Sequence, residues 1–115
     1  MAVSSATSWA DTTEISASAT AARLKAVVFT PISGAAGEVF IQLWDVANPT
    51  PGTTAPRHVI AVPIFTGVPR RRKVIFPGGF PFATALTWFV STTHDGATAA
   101  TTDAPSVVDI YFEPI

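Results

Sequence analysis

Residues 57–82 read RHVIAVPIFTGVPRRRKVIFPGGFPF, and the alternation inside this stretch decides the fold class. From His58 onward, Val59, Ala61 and Phe65 alternate with Ile60, Val62 and Ile64. That two-residue period is the signature of a strand, whose side chains point to opposite faces in turn. Pro63 cannot donate a ladder hydrogen bond, which predicts an edge position or a bulge at that point. Thr66, Gly67 and Val68 turn the chain into a second strand over residues 70–76, cationic in its first half and apolar in its second. Residues 77–81, PGGFP, then predict a turn.

The same grammar extends outward in both directions. In residues 23–29, Leu24, Ala26 and Val28 alternate with Lys25, Val27 and Phe29 before Thr30 and Pro31 end the run. Over residues 38–45, Val39, Ile41 and Leu43 share one face while Phe40, Gln42 and Trp44 share the other. Both of those faces are largely apolar, as a strand covered on both sides requires. Residues 47–56, ANPTPGTTAP, are a loop. Two further strands follow, residues 86–92 with Leu86, Trp88 and Val90 on one face, and residues 106–113 with Val108, Ile110 and Phe112 on one face. Residues 15–25 are rich in alanine but lack the three-to-four-residue apolar spacing of a helix. Six or seven short strands between turn-rich loops predict an all-β protein, an antiparallel β-sandwich of jelly-roll type.

At 115 residues the chain is expected to form one domain. Residues 1–21, dominated by Ala, Ser and Thr, read as an extended N-terminal arm ahead of a sandwich domain at residues 22–115. Trp9 is the arm's natural anchor, docked either in a neighbour's groove or back on its own domain. Apolar residues make up 48% of the chain and charged residues only 13%, about half the ~25% usual for a soluble domain. So much neutral surface favours a protein packed against copies of itself or against other proteins, a trimer being one such arrangement. The formal net charge of −1 makes nucleic acid an improbable partner. No run reaches the ~18 apolar residues of a membrane span, and the N-terminus carries no basic and apolar signal pattern. With no cysteine there is neither a disulfide framework nor a thiolate zinc site.

Residue types that carry catalysis do not converge in the sequence. His58 and His94, with Asp45, Asp95 and Asp103 as conceivable partners, show no metal-ligand spacing. There is no GxSxG elbow, and Gly34 and Gly37 belong to no phosphate-binding loop. The expectation is a protein that is not an enzyme and holds no cofactor or metal. The one local outlier is Arg70, Arg71, Arg72 and Lys73. Alternation along a strand splits these cations between two faces, which favours either an edge guard against unwanted strand pairing or a contact with an acidic neighbouring subunit.

The order of these segments, and most closely FIQLWDVA at residues 40–47 and GFPFATALTWFVSTT at residues 79–93, resembles small structural proteins of tailed-bacteriophage virions. The resemblance spans residues 22–113 and carries no site motif. It implies a β-sandwich building block assembled in the host cytoplasm, with the major capsid protein or another virion protein as partner. The role implied is a capsid decoration or cement subunit, with a tail, baseplate or head-to-tail connector component as the alternative. A carbohydrate-binding module, using Trp44, Trp88 and Tyr111 as an aromatic platform, is a more distant reading.

Overall fold

The computed structural model describes residues 2–6, 15–30, 39–62, 70–93 and 107–115. Within them the chain forms β1 (Ala2–Ala6), β2 (Ile15–Ser18), β3 (Ala22–Thr30), β4 (Val39–Trp44), β5 (His58–Val62), β6 (Arg72–Phe82), β7 (Leu86–Ser91) and β8 (Val107–Pro114). The all-β expectation holds, with two antiparallel sheets ordered β1-β8-β3-β6 and β2-β7-β4-β5. The pairs β1·β8, β2·β7, β3·β6 and β4·β5 have strand numbers that each add to nine. This is the pattern of one long antiparallel ribbon doubled back between β4 and β5. β3 also pairs with β8 and β4 with β7, and successive pairs of the series fall in alternate sheets.

Both sheets contribute to a single hydrophobic core. Val108 and Ile110 of β8 meet Ile41 and Leu43 of β4 and Leu86, Trp88 and Val90 of β7 in one cluster. Burying each such side chain contributes roughly 1.5–3 kcal/mol, which makes the inward alternation the main reason the strands hold this register. The faces expected for β4, β7 and β8 are the ones observed. On β4 the second face is buried as well, with Gln42 and Trp44 at 0% exposure.

On β3 the expected faces need correction. Leu24 lies opposite Phe112 and Ala26 opposite Tyr111, so β3 spends two residues where β8 spends one. Lys25 is the extra residue of a bulge, and it reverses the parity that follows. Leu24, Val27 and Phe29 therefore join the core, while Ala26 and Val28 lie on the outer face.

A larger irregularity sits opposite, on β6. Leu24 faces Phe80 while Ala26 faces Ile75, so residues 76–79 bulge out of the ladder. Gly78 and Gly79 have φ of 76° and 86°, a conformation glycine adopts without a Cβ penalty. The turn expected at residues 77–81 is thus an interruption within one long strand, which resumes at Phe80. The strand begins at Arg72, two residues later than expected, and Pro81 is tolerated because β6 is the last strand of its sheet.

The N-terminal segment also departs from expectation where it is described. In place of an extended arm it supplies β1 and β2, an edge strand for each sheet. Backbone pairing needs no large side chain, and the small Ala2 and Ala17, with Ile15, still rest against the core. Trp88 Nε1 on β7 donates to Ser4 Oγ on β1 at 3.1 Å and ties the two sheets together along this side. Along the opposite side the sheet ends are joined by rings: His58 of β5 lies 5.5 Å from Phe76 and 5.4 Å from Phe80 of β6. The Arg57 guanidinium sits 5.0 Å over the Phe80 ring, and its Nε donates to the Pro81 carbonyl at 3.2 Å.

Candidate functional site: the outer face of the first sheet

The register of the first sheet places Val3, Tyr111, Ala26 and Ile75 side by side, one from each strand. These residues belong to the face turned away from the core. Ile75 is 62% exposed and Val3 52%, which makes the row an apolar surface. One step along the strands, Asp109, Val28 and Lys73 form the next row. A shallow groove of about 480 Å³ runs along β3, with Ala26 at its base, Lys25 and Tyr111 on one side and Lys73, Ile75 and Pro77 on the other. Lys25 Nζ lies 3.9 Å from Glu113 Oε2, a partly exposed pair worth at most about 1 kcal/mol.

The cation cluster borders this face. Arg70 and Arg71 precede β6, Arg72 and Lys73 open it, and all four are exposed. Only Arg72 and Lys73 are in the strand, so alternation separates one cation to each face instead of the expected two. Lys73 faces Val28 on the outer side, and Arg72 faces Phe29 on the side of the core. Because β6 ends its sheet, the cluster stands at an edge. Trp9, His94, Asp95 and Asp103 lie outside the described residues.

The other residues weighed in the sequence have structural tasks. Asp45 receives three backbone N–H groups from residues 83–85 and fixes the connection between β6 and β7. Trp44 and Trp88 are fully buried. Trp44 Nε1 donates to the Thr54 carbonyl at 2.8 Å, so both indole N–H groups are engaged inside the protein. An exposed aromatic platform built on Trp44 and Trp88 is therefore ruled out, and of the three aromatics only Tyr111 reaches the surface row. Among the described residues no group of three His, Asp or Glu side chains could hold a metal ion. No helix among them is long and apolar enough to cross a membrane.

The face combines an apolar stripe with three cations, Arg23, Lys25 and Lys73, and two anions, Asp109 and Glu113.

No known family, curated protein or solved structure matches the chain significantly. Sequence reasoning missed Ile75 and Asp109 as surface determinants. The outward position of Asp109 and Tyr111 was legible from β8, but the row became visible only once the bulges set which residues of β3 and β6 meet them.

Proposed function

We propose that the protein is a non-enzymatic structural subunit of a tailed-phage virion, a jelly-roll sandwich that decorates and cements the capsid shell. The observation that carries this reading is the strand order. Pairs whose numbers add to nine, wound into sheets β1-β8-β3-β6 and β2-β7-β4-β5, are what rolling a doubled antiparallel ribbon produces. Jelly rolls of this eight-stranded kind recur in viral capsid and lectin domains. Burial of Trp44 and Trp88 removes the platform on which the lectin-like reading depended, and the resemblance of residues 40–47 and 79–93 to virion proteins favours the capsid reading.

In this role each copy makes modest contacts, and repetition around a shell gives avidity. The exposed Arg70 and Arg71 at the sheet edge supply guanidinium forks suited to carboxylates on a shell subunit. Electron microscopy of native particles tests the proposal through location and copy number. A cement subunit is found on the head in numbers near those of the shell protein, and particles stripped of it lose heat resistance. Localisation to tails, or unchanged resistance after stripping, refutes the cement role.

A further inference from the structure

We infer that the outer face of the first sheet is a two-fold interface with a second copy of this chain, an assignment independent of any virion role. The reasoning starts from the symmetry of residue types about β3. Asp109 of β8 and Lys73 of β6 both lie opposite Val28, one on each side. Tyr111 of β8 and Ile75 of β6 both lie opposite Ala26 in the same way. A two-fold axis parallel to β3 and lying on the outer face exchanges the positions of β8 and β6 while preserving height along the strands. It therefore sets Lys73 of one copy against Asp109 of the other, and Ile75 against Tyr111, each contact occurring twice. Sheets that pack face to face stand about 10 Å apart with strand directions within about 30° of each other, within reach of a lysine and an aspartate extended toward each other.

Charge selects this occupant over others. The face carries Arg23, Lys25 and Lys73 with Asp109 and Glu113, charges of both signs suited to a self-complementary surface rather than to a strongly charged partner. Joining two copies edge to edge through β6 would have to accommodate the exposed cations at residues 70–73, and charge on an edge strand opposes such pairing. The cations thus discourage one mode of self-association, while Lys73 is matched in the other. Exposure of Ile75 at 62% supplies apolar area that the Tyr111 ring of a second copy would remove from water.

Sedimentation equilibrium of the full chain tests this, with circular dichroism to verify folding of each variant. The expected result is a monomer–dimer equilibrium in which K73E and D109K each raise the dissociation constant about tenfold or more. An equimolar mixture of K73E and D109K should regain the dimer, because opposite charges then meet at both symmetry-related positions. I75S, at a position that costs the monomer little, should also weaken the dimer. A chain that stays monomeric, a trimer, or a mixture no tighter than the separate variants overturns the assignment.

Discussion

Asp45 Oδ1 accepts the backbone N–H of Thr84 at 2.7 Å, and the same carboxylate also accepts from Ala85 at 3.2 Å and Ala83 at 3.1 Å. Partial burial pushes this carboxyl upward, yet the three N–H donors and the Arg57 charge outweigh it and hold the group below its ordinary 3.8. A depressed folded value means the stabilisation is complete above the unfolded carboxylate range of about 3.9 and is lost as pH falls through the folded value. D45N is expected to cost about 2 kcal/mol near neutral pH. Urea midpoints of D45N and the parent chain should draw together as pH falls below about 4 and meet only once it is below the folded value, and a gap that persists there would exclude the carboxylate as its source.

Gly78 and Gly79 share a left-handed φ but not a neighbourhood. A Cβ on Gly78 meets nothing within 4 Å, whereas one on Gly79 lies 3.0 Å from Arg23 Cβ. G78A should cost about 1 kcal/mol, from the backbone conformation alone. G79A should cost about twice that, because the Arg23 Cβ is fixed by the β3 backbone. Thermal denaturation ranks the two, and equal losses would remove the steric part of the account.

Ser4 accepts the indole N–H of buried Trp88. S4A leaves that donor in the core without its acceptor and should cost about 1–3 kcal/mol. Ser16 on β2 is exposed, and S16A should change stability by no more than about 0.5 kcal/mol. Denaturant titration of the two alanine variants gives the comparison. Similar small losses would mean the hydrogen bond does not couple the sheets.

Deleting residues 1–20 removes β1 and β2 together. An arm could be cut away without harm to the rest, but this deletion uncovers β8 in one sheet and β7 in the other and removes the acceptor of Trp88 Nε1. The truncated chain should aggregate or melt cooperatively only at a markedly lower temperature. A truncated protein as stable as the full chain would show that the two strands contribute pairing without stability.

The inward faces of β4, β7 and β8 were readable from the alternation because no bulge within those strands exchanges their two faces. β3 was misread for a definite reason: Lys25 is a bulged residue, and one inserted residue exchanges the faces of everything after it. The PGGFP segment carries the residues of a turn and uses its glycines as a turn does, but Phe80 and Phe82 return the chain to the ladder. β1 and β2 were invisible as strands because they rest on backbone pairing and on short contacts, Ala2 beside Phe112 and Ile15 beside Trp88, a match no local pattern reports. For the surface, the cation cluster stood out in the sequence. Its relation to Asp109 did not, because that relation depends on the register of three strands.

The wound ribbon also sets an order of events in time. β8, the last strand in the chain, occupies an interior place between β1 and β3, and Ala2 pairs with Phe112. The second sheet draws only on β2, β4, β5 and β7 and can assemble before residues 107–114 arrive. The first sheet cannot, since among the described strands β1 pairs only with β8, and β3 keeps an open flank until β8 inserts. Folding dominated by such distant pairings proceeds in milliseconds to seconds rather than microseconds. During that interval the flank of β3 is a template for another chain's β8, so the moment of greatest exposure to misassembly comes just before the final strand docks.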